Sequence, residues 1–210
     1  MWKAVRDLLP HSQLIGCQFH FSQALYRKIV EVGLGQTYRE REDKYLYLRK
    51  VMALPFLPAD HIEDAFENLM EQAEELGNDQ VLSFMTYVKR TWIDSQVWPP
   101  INWSVFDETT RTNNDVEGWH YRMNLKISAK PPLYVAIPQL HVEAKFMDLQ
   151  VSLVSQMALT TDRKNRYKKT HGKLYKLWAD YEGGIIGTDH LLKHAAHLAG
   201  FDPIARVVVE

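Results

Sequence analysis

The chain has 210 residues, a formal net charge of −1, and 46% hydrophobic and 11% aromatic side chains. That is enough apolar surface to bury a core, which excludes disorder as the default, and the near-zero charge excludes overall electrostatic steering toward nucleic acid or membrane. The single cysteine, Cys17, cannot form an internal disulfide, which fits a reducing compartment, and no apolar run approaches the roughly 18 residues that span a bilayer.

The first ten residues, Met1 to Pro10, lack the apolar stretch and cleavage site of a secretory signal and read as a helix already under way. Gln13-Leu14-Ile15-Gly16-Cys17 predicts a short buried strand. From His20, Phe21, Ala24, Leu25, Ile29 and Val32 recur at helical spacing, with Gly33 and Gly35 as stops. A second helix runs through Tyr45, Leu48, Val51 and Met52 until Leu54-Pro55 and Pro58 break it. A third carries the stripe Ile62, Ala65, Phe66, Leu69, Met70, Ala73 and Leu76 before Gly77, with Asp60 and Glu63 as a capping-box-like start. A fourth holds Val81, Leu82, Met85, Val88 and Trp92, and the aromatic, proline-containing stretch 94–112 predicts an ordered connection.

A fifth helix begins near Asn114 and is expected to bury Val116, Trp119, Met123 and Ile127. Ser128-Ala129-Lys130-Pro131-Pro132 is the best boundary in the chain. Beyond it, Val142, Phe146, Leu149, Leu153 and Met157 predict a long helix. Leu174, Leu177, Trp178 and Tyr181 predict another, which ends at Gly183-Gly184, and a last one covers about Asp189 to Ala199. The fold class is therefore mainly α, with no parallel sheet that this chain can assemble by itself.

Four groups of residues bear chemistry. Asn114-x-x-Glu117 has the spacing at which an asparagine caps a helix and a glutamate reaches back to its first amides. Cys17 and His20 offer two borderline ligands to a metal such as zinc, two short of a closed tetrahedral site; the competing reading is a buried thiol and a hydrogen-bonded histidine. Arg163, Lys164, Arg166, Lys168, Lys169, Lys173 and Lys176 form a basic run interleaved with Tyr167 and Tyr175, suited to phosphate contact or to a solvated helix face. His190, His194 and His197 share one face of the last helix, opposite Leu191, Leu192, Ala195 and Leu198. Such a face suits either surface histidines or a metal pair.

Two longer strings, Gly16-Cys17-Gln18-Phe19-His20-Phe21 and Arg111-Thr112-Asn113-Asn114-Asp115-Val116-Glu117-Gly118-Trp119-His120, stand in an order that resembles the C-terminal portion of Mutator-like (MULE) transposases. The resemblance covers about residues 1–180. It implies a helical insertion domain and the terminal helices of an RNase H-like core, with most of the sheet upstream. It also implies that Glu117 is the third carboxylate of a metal-binding triad, in a motif that includes Asn113, Asn114 and His120, and that Mg²⁺ or Mn²⁺ serves the intact parent. Carboxylates suit that task because Mg²⁺ prefers hard oxygen ligands and two such ions stabilise an in-line displacement at phosphorus. Both family aspartates lie upstream of the position that matches Met1. The chain alone is therefore expected to hold no metal tightly and neither to cut nor to join DNA.

The implied division is 1–36 for the core remnant with Cys17 and His20, 37–112 for the insertion, 113–130 for the core helix with Glu117, and 131–210 for a C-terminal helical region. The implied partner is DNA at transposon ends, in the nucleus, with a homo-oligomer among the allowed assemblies and neither a membrane nor a small-molecule substrate. The rival expectation is a host-adopted helical module for DNA or protein binding, in which Glu117 is only a cap.

Overall fold

The computed structural model describes residues 7–8, 10–11, 14–112, 114–128, 130–155 and 165–198. Their secondary structure is mainly α, with no strand among the described residues. The predicted helix at residues 1–10 falls mostly outside them. Leu14 to Cys17 are not the expected strand. Their backbone meets a loop, through the Gly16 amide on the Asn102 carbonyl at 2.6 Å, and no ladder of neighbouring residues continues the pairing.

Helix α1 (Gln18–Glu31) buries Phe21, Leu25 and Ile29, four residues apart, and ends where Gly33 takes φ 87°. Gly35 is not a second stop. It opens α2 (Gly35–Glu40), and a Cβ there would lie 3.2 Å from Cγ2 of Val30, so the residue is small because two turns approach closely. Helix α3 (Tyr45–Met52) passes into a 3-10 turn at Leu54–Phe56. A second 3-10 turn, Ala59–His61, leads into α4 (Ile62–Leu76).

The predicted capping box at Asp60 and Glu63 does not form. Pro58 starts the 3-10 turn, whose His61 amide donates to the Pro58 carbonyl at 3.0 Å, and α4 then begins without a side-chain cap. Gly77 closes α4 with φ 57°, as its sequence position predicts. Helix α5 (Asp79–Val88) is capped by Asn78, whose side chain accepts from the Val81 amide at 3.0 Å. It runs on as a π-helical turn, Lys89–Ile93, that carries Trp92. Further along lie α6 (Asn114–Lys126), α7 (Leu133–Ser155), α8 (Asn165–Glu182) and α9 (Thr188–Leu198).

The chain divides into two compact units, one of Met1–Thr112 with Lys173–Glu210 and one of Asn113–Gly172, so that the division falls inside α8. The first unit is built around a continuous apolar core. Leu25 and Ile29 of α1, Leu48 and Val51 of α3, Phe66 of α4, Phe84 of α5 and Leu191 of α9 are all fully enclosed. Polar groups drawn into that core find partners. The Trp178 indole donates to the Phe56 carbonyl at 2.9 Å, the Tyr47 hydroxyl to the Leu69 carbonyl at 2.7 Å, and the Ser104 hydroxyl to the Leu57 carbonyl at 2.7 Å. Burial pushes the Tyr47 hydroxyl up from the ordinary phenol range. Helix α9 is fastened to α3 by Lys50 on Asp189 (2.5 Å) and by Arg49, which donates to the Ala196 carbonyl at 2.7 Å near the C-terminus of α9.

The second unit is built differently. Lys126 of α6 reaches Oε1 of Glu143 on α7 at 2.5 Å, and the Glu143 side chain is only 5% exposed. Met123 is buried and Trp119 half-buried. Val116, expected in the core, is exposed, and so are Val142, Phe146 and Leu149 of the predicted α7 stripe; Met157 lies outside the described residues. The cause lies in the helix itself. At about 100° per residue, Leu133, Ile137, Leu140 and Met147 form one flank of α7 and Val135, Val142, Phe146 and Leu149 another, with Glu143 between them. A helix that is apolar on two flanks needs more than one neighbour to cover it.

Candidate functional site

Gly16 to Phe21 are positioned by close packing. A Cβ on Gly16 would lie 3.1 Å from both the Asn102 carbonyl oxygen and Cβ of Trp103, so only glycine lets these backbones approach. Cys17, half-buried, is the residue before α1, and its carbonyl accepts from the Phe21 amide at 3.1 Å. Phe21 is buried against two indoles, stacked on Trp103 at 4.9 Å and edge-on to Trp92 at 4.8 Å. His20 faces solvent, its ring edge-on to Phe19 at 5.4 Å. Gly16 and Phe21 thus have packing roles that the motif alone did not reveal; the signal was the aromatic content of the segment around Trp98 and Trp103.

The second motif begins beside the first. The Arg111 carbonyl accepts from the Gln18 amide at 3.0 Å, which ties residue 111 to the first turn of α1. The Arg111 guanidinium lies over the Phe56 ring at 5.9 Å, and burial holds its pKa below the usual arginine range. Arg111 stands first in the second string, but nothing local in the sequence marks its partner 55 positions away.

Asn114 is the first residue of α6, and Glu117 stands exposed in its first turn. Such a carboxylate lies where the helix dipole favours negative charge. Asn113 lies outside the described residues, and only the backbone is described at Asn114. His120 is exposed one turn further on. Cys17 and His20 belong to one unit and Glu117 and His120 to the other. Among the described residues, no three or more His, Cys, Asp or Glu side chains converge as a metal site.

In the basic run, Arg163 and Lys164 lie outside the described residues, and Arg166, Lys168 and Lys169 are described only as helical backbone. Lys173 and Lys176 are exposed, while Leu174 and Trp178 on the same helix are buried. On α9, His190, His194 and His197 are exposed, while Leu191, Leu192, Ala195 and Ala196 are buried. Within the second unit, Lys126 and the nearby Arg122 hold the Glu143 carboxyl below the usual carboxylate range. No described helix is long and apolar enough to cross a membrane.

In comparisons with known proteins, no family model, no curated protein and no solved structure matches the chain.

Proposed function

We propose that the chain is the part of a MULE-type DNA transposase that follows the second catalytic aspartate, with Glu117 as the third metal-binding carboxylate of the whole enzyme. The observation that carries this reading is the pair of motif strings in family order, separated by a helical block and joined at their starts by the Arg111–Gln18 backbone hydrogen bond. Glu117 is exposed at a helix start, where a carboxylate can reach a divalent ion. The bare flanks of α7 suit a helix that lies against a sheet, as in an RNase H-like core.

In this reading, Glu117 and two aspartates outside residues 1–210 would hold Mg²⁺ or Mn²⁺, which would supply charge stabilisation for an in-line displacement at phosphorus. Exposed Lys173 and Lys176, with the rest of the basic run, contact the phosphate backbone. The site of action is the nucleus, on transposon ends, and a homo-oligomer is compatible with the exposed apolar surface.

The test has two stages. Translation of the genomic sequence 5′ of the Met1 codon is expected to yield two in-frame aspartates, one of them shortly before residue 2. In protein made from that longer frame, Glu117→Gln is expected to abolish Mg²⁺-dependent strand transfer while circular dichroism stays unchanged. Retained strand transfer in the glutamine variant makes Glu117 a helix cap. Absence of strand transfer in the unsubstituted longer protein favours the second reading, a helical interaction module, for which the uncovered apolar flanks of α7 are the specific observation.

A further inference from the structure

The outward face of α9 holds two imidazoles in an arrangement that Glu117 and the DNA reading do not use. His190 and His194 are one turn apart, both exposed, and their rings stack at 4.2 Å with only 15° between planes. Nδ1 of His194 lies 3.0 Å from the His190 carbonyl oxygen. A carbonyl oxygen only accepts, so in the neutral ring the proton sits on Nδ1 and the lone pair on Nε2. Metal-binding imidazoles are generally held in this way, with one ring nitrogen donating to a carbonyl or carboxylate while the other faces the ion.

We propose that His190 and His194 form a two-point chelate for a borderline divalent cation of the Zn²⁺ class. Zn–N bonds of about 2.0–2.1 Å place two ligand nitrogens roughly 3.3 Å apart at a tetrahedral angle. A bound ion lies near the plane of each imidazole, so the His190 ring turns out of its stack on His194 until the two planes meet, a rotamer change open to an exposed side chain. The platform is rigid. Leu191, Leu192, Ala195 and Ala196 are buried on the opposite face, and Lys50 and Arg49 hold the two ends of α9 on α3. Asp189 is engaged by Lys50, which leaves the other coordination positions to water. His197 lies seven residues beyond His190, about 10 Å of helical rise, too far for one ion to join both. Imidazole pairs select Zn²⁺, Ni²⁺ or Cu²⁺ and discriminate against Mg²⁺, which prefers oxygen ligands. The site is therefore chemically distinct from the carboxylate site proposed above and does not depend on it.

The experiment is calorimetric titration of the tag-free chain with ZnCl₂, with thermal unfolding as a second readout. Saturable binding of one ion at this site is expected, with a rise in Tm because bridging two turns stabilises α9. His190→Gln and His194→Gln are each expected to weaken binding at least tenfold with circular dichroism unchanged. His141→Gln, an exposed histidine in the other unit, and replacement of Zn²⁺ by Mg²⁺ serve as controls; the first keeps binding and the second gives none. Absence of saturable binding overturns the proposal, and so does an affinity in either glutamine variant equal to that of the unsubstituted chain. Binding that His20→Gln removes and His190→Gln leaves intact also overturns it, since the ion then sits at Cys17 and His20.

Discussion

The two units of this chain put their apolar helices to opposite use. In the first, α3 and α4 each turn one apolar stripe inward and leave charged residues outside, and Leu48, Val51, Ile62 and Phe66 are fully enclosed. In the second, α7 leaves Leu133, Ile137, Val142, Phe146 and Leu149 exposed, each by 47% or more, while it buries a glutamate. One unit has its hydrophobic stabilisation inside it. The other has a layer of apolar surface whose burial depends on something beyond the described residues. A helix hydrophobic on one face folds against a single neighbour, whereas one hydrophobic on two flanks is made to lie between layers.

The largest expected effect tests that difference directly. Trp178→Ala removes a side chain that is 2% exposed and breaks its hydrogen bond to Phe56. It is expected to cost about 3–5 kcal/mol in chemical denaturation, since the cavity adds to the lost transfer energy. Phe146→Ser on α7, at 47% exposure, is expected to stay within about 0.5 kcal/mol and to lower binding of a hydrophobic dye. A loss of several kcal/mol in the serine variant would show that α7 has a cover and would dissolve the contrast.

Next in size is Gly16→Ala. The new Cβ meets the Asn102 carbonyl oxygen and Cβ of Trp103 at 3.1 Å, and both atoms belong to a packed segment that yields little. A loss of about 1–3 kcal/mol is expected by thermal or chemical unfolding. The same substitution at Gly118, where a Cβ meets nothing within 4 Å, is expected to gain slightly, because alanine is the better helix former. The pair of values separates a glycine held by packing from one that stands only in a motif.

A smaller effect belongs to Glu143. Its carboxyl is held down by the Lys126 hydrogen bond and by Arg122, so its folded pKa lies below the ordinary glutamate value. Stability from this group is therefore present above that ordinary value and lost as pH falls through the lower folded one. Glu143→Gln is expected to reduce amide protection in α6 and α7 at neutral pH and to flatten the acid-side loss. Hydrogen exchange at pH 7 and at mildly acidic pH checks both. Unchanged protection at pH 7 would mean that the Lys126–Glu143 pair does not hold the second unit together.

Most helices were legible in the sequence because the 3.6-residue stripe and its terminators are local. Gly33 and Gly77 end helices where expected, each with positive φ. What the sequence withheld depended on distant partners. Leu14 to Cys17 are β-prone, yet their backbone meets a loop at Asn102, and no local pattern encodes that meeting. The stripe on α7 told which side chains are apolar but not whether anything covers them. At the candidate site, Glu117 was visible through its motif, while the joining of the two motifs through Arg111 is a contact across more than 90 positions. The stacked His190–His194 pair was nearer to legible, since i, i+4 spacing brings rings together by helix geometry alone.

The smallest predicted effect concerns Arg41, which ends α2 with φ 56°, a left-handed conformation that usually falls to glycine. A non-glycine residue there carries strain of about 1–2 kcal/mol. Glycine removes the strain and gives back about 0.5–1 kcal/mol in unfolded-chain entropy. It also loses the Arg41 guanidinium over the Tyr45 ring, 5.7 Å from the centroid, an exposed contact of about 0.5 kcal/mol. Arg41→Gly is therefore expected to change the stability of the first unit by between about −0.5 and +1 kcal/mol, centred on a gain of a few tenths and a rise of about a degree in Tm. Because that unit draws its stability from a closed core, relief at one turn should barely register. A gain well above 1 kcal/mol would mean that local backbone strain, and not packing alone, limits the better-built half of the molecule.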